Sequence, residues 1–321
     1  MEVSNWYNNF MENLYEIFPK RAQLTQELMD LLCLEREAVY RRLRRDVVFH
    51  TDEIVKIAST WNLSLDEIVG IDSRAVSFQM QPLNYLNPSK IDFFNLQKRV
   101  RLLDHLLSSP HSEYMEVCNN FPKPIGIGFP TICRFKIFDW AYQYYQNETI
   151  DKQFSKIIIP EKVNIEFEHY KKNIKCVKNS HFILDERIFE YLLQNIRYFH
   201  SIMLVSNEDI ELLKNELFDL LDYMEEIANR GCYPETHNKV NLYISKMCID
   251  TNYSYSYTEK LKTCRILAFG TDDIFSSDPE LVENFKVWMN LKKRSSIQIS
   301  EANERSRIKF FAKQRELVND L

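Results

Sequence analysis

The sequence contains little glycine and no glycine-rich phosphate-binding loop. Only 5 of its 321 residues are Gly, alongside 10 Pro. The close pair Gly126 and Gly128 is followed by Phe129-Pro130, so it matches neither the dinucleotide-binding nor the P-loop pattern. So few glycines also argue against a loop-rich or low-complexity protein. These absences exclude the best-known nucleotide-binding loops.

The usual signatures of metal sites and hydrolases are also missing. The 7 Cys include no Cys-x-x-Cys pair, which indicates reduced thiols packed as small apolar side chains. The 7 His form no His-Glu-x-x-His spacing, and there is no Gly-x-Ser-x-Gly elbow. Asp272-Asp273 is the best carboxylate pair, but such a pair is more typical of a turn and a helix cap. We therefore expect no metal, no cofactor and no enzymatic activity.

No apolar run approaches the length of a membrane span. The first twenty residues contain Glu2, Glu12 and Glu16, where a signal peptide would need basic and apolar segments. The expectation is a cytoplasmic protein. A hydrophobic content of 45% is ample for packed cores, and the length allows two or three domains.

Apolar spacing predicts a mainly α fold that begins with a five-helix domain over residues 1–72. Thr51-Asp52-Glu53 and Ser64-x-x-Glu67 have the pattern of helix starts, the second being a capping box. The following residues, 73–235, are predicted to be a central helical bundle. Its predicted helices cover 90–108, 132–146, 160–176, 185–204 and 207–229.

Residues 236–321 are predicted to form a small C-terminal α+β unit. Strands are expected at 240–249, 252–258 and 264–271, followed by helices at 279–293 and 303–319. Tyr253, Tyr255 and Tyr257 alternate along the second strand. This pattern is most simply a buried face, although a stacking platform for a base is an alternative interpretation.

The most distinctive stretch is the third predicted helix. Residues 36–45, REAVYRRLRR, contain five Arg and one Glu in a chain whose formal net charge is -5. Val39 and Leu43 are expected to face inward, with Ala38 beside them. An apolar-faced helix, a tight turn and a basic helix together fit helix-turn-helix geometry. An ordinary solvated helix with a Glu37–Arg41 pair is the simpler alternative.

Two sets of side chains are predicted to contact double-stranded DNA. The set that faces the base edges comprises Arg36, Glu37, Tyr40 and Arg41. The set that contacts phosphates comprises Arg42, Arg44, Arg45, Lys20 and Arg21.

The order of these elements resembles a known family. The segments AVYRRL and WNLSLDEIVG, within residues 10–72, are similar to those of lambda-repressor/Cro-like helix-turn-helix proteins. They resemble in particular the N-terminal domains of transcriptional regulators from Bacteroidetes-type bacteria. In that family the turn between the second and third helices commonly contains Gly, whereas Cys33-Leu34 occupies it here. The resemblance implies sequence-specific DNA binding and transcription regulation.

The sequence therefore predicts a DNA-binding transcriptional regulator whose C-terminal region senses, oligomerises or recruits. One such domain covers one half-site, so a homodimer on a near-palindromic operator is expected. The helices at 90–108 and 207–229 are candidate dimer surfaces. Two alternatives stay open: a C-terminal nucleotide- or metal-binding enzyme module targeted by the helix-turn-helix, and a protein-interaction scaffold.

Overall fold

The computed structural model describes residues 5–18, 20–61, 63–69, 76, 78–80, 93–107, 109–144, 153–268 and 272–321. Helices account for more than half of these residues, which confirms the mainly α character. The chain divides into two compact units, Met1–Val76 and Ser77–Leu321. Each unit has its own hydrophobic core.

The described part of the first unit consists of five helices and their connections. The helices are α1 (Asn5–Ile17), α2 (Arg21–Leu32), α3 (Arg36–Leu43), α4 (Thr51–Trp61) and α5 (Leu65–Val69). Each long helix buries residues at helical spacing, such as Phe10 and Leu14 of α1 and Leu24 and Leu28 of α2. Val39 is the buried apolar residue of α3. This shared core sets the orientation of α3.

The second unit is built on one mixed sheet of eight described strands. The order across the sheet is β1-β7-β6-β5-β2-β3-β4-β8. The strands are β1 (Gln79–Met80), β2 (Glu113–Cys118), β3 (Asn179–Asp185), β4 (Lys239–Ser245), β5 (Tyr253–Tyr257), β6 (Lys262–Ala268), β7 (Asp272–Ser276) and β8 (Ile297–Gln298).

Strands β2, β3 and β4 are parallel, and every other pair is antiparallel. Parallel neighbours require long crossovers, and the helices between β2 and β3 and between β3 and β4 provide them. Strands β2–β4 are buried along nearly their whole length. The parallel strands are therefore the centre of the unit.

Most helices of this unit contribute to the main core on one face of the sheet. They are α6 (Phe93–Leu107), α7 (Lys123–Gly126), α8 (Pro130–Tyr144), α9 (Glu161–Ile174), α10 (Glu190–Ser201), α11 (Asn207–Arg230) and α13 (Glu304–Asn319). On the other face, α12 (Pro279–Arg294) packs Val282 and Met289 against Met115, Ile183 and Tyr255.

The prediction of a central helical bundle over residues 73–235 is wrong. Strands β2 and β3 lie within that range and form the middle of the sheet. The prediction of a separate α+β unit over 236–321 is wrong for the same reason, because β4 pairs with β3 and β5 pairs with β2. The five predicted helices of the central region are nevertheless present, as α6 and α8–α11.

Helix α11, one of the two candidate dimer surfaces, is a core helix. Leu213, Leu217, Leu220, Leu221 and Met224 are fully buried along it. Core packing therefore accounts for most of its apolar residues, although Leu212 is exposed.

Tyr255 is likewise buried beneath α12, and Tyr253 stacks edge-on against Trp288 with ring centroids 4.8 Å apart. The interpretation of the tyrosine alternation as a buried face is confirmed.

Candidate nucleic-acid interface

The turn between α2 and α3 is a compact three-residue connection, Cys33-Leu34-Glu35. Cys33 adopts the left-handed conformation with φ 54° and ψ 44°, and its N–H donates to the carbonyl of Met29. The N–H of Leu34 donates to the same carbonyl at 3.3 Å, and Leu34 packs against the core. These two hydrogen bonds satisfy a carbonyl that would otherwise lack a partner at the C-terminal end of α2. Cys33 thus takes the conformation that glycine adopts most easily.

Helix α3 has a buried inner face and an exposed outer face, as the spacing of its apolar residues predicts. Val39 is fully buried, while Ala38 and Leu43 are half-buried beside it. On the outer face, all the predicted base-facing side chains are exposed, namely Arg36, Glu37, Tyr40 and Arg41. The Arg36 guanidinium lies 5.8 Å from the centroid of the Tyr40 ring, so these two side chains form a cation–π pair on this surface.

Arg42 lies on the inner face, and its assignment as a phosphate contact is wrong. Its Nε donates to Glu53 Oε2 at 2.9 Å and its Nη2 to Glu53 Oε1 at 2.7 Å. Its Nη1 also donates to the carbonyl of Ala38 at 3.2 Å. The Arg42 side chain is only 10% exposed. The helical spacing of the sequence already indicates that Arg42 lies on the inner face, since Arg42 follows buried Val39 by three positions.

Glu53 is a structural residue that the sequence interpretation treated only as part of a helix start. Besides binding Arg42, its Oε2 accepts the His50 N–H at 2.9 Å at the start of α4. Burial alone would raise the pKa of Glu53, but the Arg42 guanidinium and the His50 N–H outweigh burial, so its pKa lies below the ordinary value. Glu53 therefore fastens the C-terminal part of α3 to the beginning of α4.

Arg44 and Arg45 remain on the surface after α3 ends. Arg44 pairs with Glu37 at 2.9 Å and with Asp46 at 3.5 Å, and the paired side chains are mostly exposed. Glu37 therefore pairs with Arg44, whereas the alternative of an ordinary solvated helix assumes that it pairs with Arg41. Arg45 adopts φ 67° and donates to Asn8 Oδ1 at 2.6 Å. Exposed pairs of this kind contribute only ~0–1 kcal/mol, so a phosphate can replace them.

Lys20 and Arg21 lie at the N-terminus of α2. Both are exposed, and the Arg21 guanidinium lies 5.4 Å from the centroid of the Tyr15 ring. The first-turn N–H groups of a helix and its dipole both favour an anion at this end. These two residues are therefore exposed cations at a helix end that favours anions.

The basic surface belongs to a unit that is acidic as a whole. Residues 1–76 contain nine basic and thirteen acidic residues, a formal charge of -4. Five of the nine basic residues lie in the segment 36–45, and one of these, Arg42, is neutralised by Glu53. Among the described residues of this acidic unit, positive charge is therefore concentrated on α3 and the turn after it.

The described residues offer little for other chemistry. No group of three or more His, Cys, Asp or Glu side chains that could hold a metal occurs among them. Asp273 pairs with Arg265 at 3.5 Å, and the side chain of its neighbour Asp272 lies outside the described part. Among the described helices, none is both long and apolar enough to span a membrane. No family model, no curated protein and no solved structure matches the chain.

Proposed function

We propose that residues 1–76 bind double-stranded DNA through the outer face of α3, and that the protein is a transcriptional regulator. The observation on which this rests is the arrangement of α2, the three-residue turn at Cys33 and α3, with Arg36, Tyr40 and Arg41 exposed on α3. A helix of eight residues is ~12 Å long, which suits the major groove.

Two roles are proposed for the exposed side chains. Arg36, Glu37, Tyr40 and Arg41 face the base edges, where arginine makes bidentate hydrogen bonds to guanine. Arg44, Arg45, Lys20 and Arg21 contact phosphates, which fixes position without reading sequence. Arg42 belongs to neither set because its guanidinium donates two hydrogen bonds to the Glu53 carboxylate.

The expected complex is a homodimer on two half-sites. One α3 reads only a few base pairs, so two copies related by a two-fold axis are needed for a site of ordinary length. Recovery of bound sequences from random duplex DNA tests this directly. Inverted half-sites whose centres are one helical turn apart support the dimer, whereas a single short motif contradicts it.

Salt dependence tests the DNA contact itself. Binding of the full chain to a random-sequence duplex is expected to weaken steeply as salt rises, because each neutralised phosphate releases counterions. Arg44→Ala is expected to lower the slope of log K against log salt by about 1 on every sequence. Arg41→Ala is expected to cost ~1–3 kcal/mol on the selected site and little on random DNA.

Lys56→Ala is the matched control, since Lys56 is an exposed cation of the same unit, on α4. It removes one positive charge but touches neither proposed set. Binding without a salt slope, or an equal effect of Lys56→Ala and Arg44→Ala, would contradict DNA binding through α3.

A further inference from the structure

Helix α12 turns one face to the sheet and the opposite face to solvent. Val282 and Met289 are buried against the sheet. The exposed residues between Glu280 and Arg294 all lie on the opposite side, within ~100° around the helix axis. Five of them follow one another at alternating spacings of four and three residues, and we call these five the α12 stripe. The α12 stripe consists of Glu280, Asn284, Val287, Leu291 and Arg294.

Two apolar side chains form the middle of the α12 stripe. Val287 is 51% exposed and Leu291 is 54% exposed. They are four positions apart, so they are neighbours along one side of the helix. Single exposed apolar residues are ordinary at a protein surface. An adjacent pair that faces away from the core, however, contributes nothing to the packing of its own unit. The fold of the second unit therefore does not account for this pair.

The two ends of the α12 stripe carry opposite charges. Glu280 and Arg294 are both exposed, and neither forms an ion pair with another described residue. Both suit the helix dipole, so each is also expected of an isolated helix. Their spacing adds a second property, because each lies seven positions from Val287, or ~10.5 Å along the axis. The α12 stripe is therefore an apolar centre between an acidic and a basic end at equal distances.

A surface of this kind is complementary to a second copy of itself. In a two-fold symmetric dimer, the same patch of both subunits forms the contact. If the axis passes beside Val287 and the helices run antiparallel, Glu280 of each copy lies opposite Arg294 of the other. A parallel arrangement would instead bring Glu280 to Glu280 and Arg294 to Arg294. The alternating spacing of four and three residues is the one that keeps a stripe in contact with a neighbouring helix.

We propose that the protein forms a two-fold symmetric homodimer through the α12 stripe, with the two copies of α12 antiparallel. This inference rests on the homodimer of the proposed function and names the surface that forms it, in the second unit. One helix from each copy buries much less than the ~1,600 Å² of a standard interface, so the dimer is weak, with a Kd in the micromolar range. Two half-sites on one DNA strengthen it, because they hold two chains together.

Sedimentation equilibrium of the full chain without DNA tests the proposal. Loading concentrations of ~1–200 μM cover the range in which a small interface associates. A reversible equilibrium between monomer and dimer is expected, and a closed two-fold contact does not grow further. A monomer at every concentration would overturn the proposal, since the α12 stripe would then fit some other partner. Assembly that continues beyond the dimer would overturn it as well.

Substitution at the apolar centre connects the dimer to α12. Leu291→Lys removes an apolar contact and places an extra cation near the axis in both copies. It is expected to raise the dimer Kd at least ~10-fold. Leu212→Lys is the matched control, because Leu212 on α11 is 53% exposed. It is expected to leave the dimer unchanged. An undiminished dimer in Leu291→Lys, or an equal loss in both variants, would contradict a contact through α12.

Charge reversal tests the antiparallel arrangement. Glu280→Arg and Arg294→Glu each turn two attractive contacts into repulsive ones, so each alone is expected to raise the dimer Kd about 10-fold. The double variant restores both contacts and is expected to dimerise like the wild type. Glu304→Arg, which also replaces an exposed first-turn glutamate, on α13, controls for the helix dipole and is expected to have no effect. A folded double variant that stays as weak as the single variants would overturn the antiparallel contact.

Circular dichroism establishes that each variant is folded, and Leu291→Lys decides the outcome if a charge-reversed variant is not. The DNA measurements separate this inference from the proposed function. Folded Leu291→Lys is expected to keep the salt-dependent binding to random duplex DNA, because its first unit is unchanged. A monomeric wild type that still binds DNA would overturn the α12 contact alone. A wild type that dimerises through α12 without binding DNA would overturn the proposed function and support the contact.

Discussion

The inner and outer faces of α3 use the same side chain in opposite ways. On the inner face, Arg42 makes two hydrogen bonds to Glu53 and one to a backbone carbonyl, and is almost enclosed. On the outer face, Arg36 and Arg41 are exposed. Arg44 forms ion pairs with Glu37 and Asp46, and all three of these side chains are mostly exposed. The first arrangement stabilises the fold, and the second leaves cations at the surface. Residue type alone does not distinguish a structural arginine from an exposed one, whereas its position around the helix does.

Removal of Glu53 should produce the largest loss of stability. Glu53→Ala leaves the Arg42 guanidinium buried without its carboxylate, which should cost ~3 kcal/mol in the free energy of unfolding of the first unit. Hydrogen exchange of peptides from α3 and α4, measured in the full chain, reports this unit separately from the second. Arg42→Met combined with Glu53→Leu should recover most of the loss. A loss that persists in the double variant would mean that the ion pair is not its origin.

Acidification should weaken the same contact by protonation. Because the folded-state pKa of Glu53 is depressed, the stability from the pair is complete above the unfolded-state pKa of about 4.3 and is lost as the pH falls through the folded-state value. The exchange protection of α3 should therefore fall in acid more steeply in the wild type than in Glu53→Gln. Parallel pH profiles for the two proteins would contradict this role of Glu53.

The turn that presents α3 should tolerate glycine better than a branched residue. Cys33 has a positive φ, where a β-branched side chain adds steric strain, so Cys33→Val should lose ~1 kcal/mol of stability. Cys33→Gly should be as stable as the wild type or slightly more so. Urea unfolding of both variants measures the difference. Equal stabilities would indicate that the turn relaxes out of the left-handed conformation.

Substitution of the outer face should change stability least. Arg36→Ala and Glu37→Gln remove exposed groups, so each should shift the free energy of unfolding by no more than ~0.5 kcal/mol. The same urea titrations measure this shift. A loss close to that of Glu53→Ala would erase the distinction between the two faces. DNA binding of the folded Arg36→Ala variant should nonetheless fall.

The first unit could be predicted from its sequence because its information is local. Apolar residues at helical spacing mark all five helices, and the exposed positions of α3 follow from Val39 and Leu43. The role of Arg42 was misjudged because its partner, Glu53, belongs to the next helix. Counting charge identified the helix but could not separate its faces.

The second unit could not be predicted as readily. EYMEVC of β2 and NSHFILD of β3 are buried nearly throughout, so they lack the alternation that reveals a half-exposed strand. Short runs of this kind between helices are hard to distinguish from helix by periodicity. The pairing of β5 with both β2 and β6 has no local signal in the sequence, because β2 is distant in the sequence from β5 and meets it only in the sheet.

The Arg42–Glu53 pair also bears on how this protein can diversify. The pair and the buried Val39 hold α3 in place from one side, and neither uses a residue of the outer face. Positions 36, 37, 40 and 41 can therefore be exchanged as a set at little expense to folding. In a lineage that duplicates this gene, copies could acquire different outer surfaces on α3 by changing four side chains while the scaffold stays the same. A library randomised at those four positions would be expected to yield mostly folded proteins.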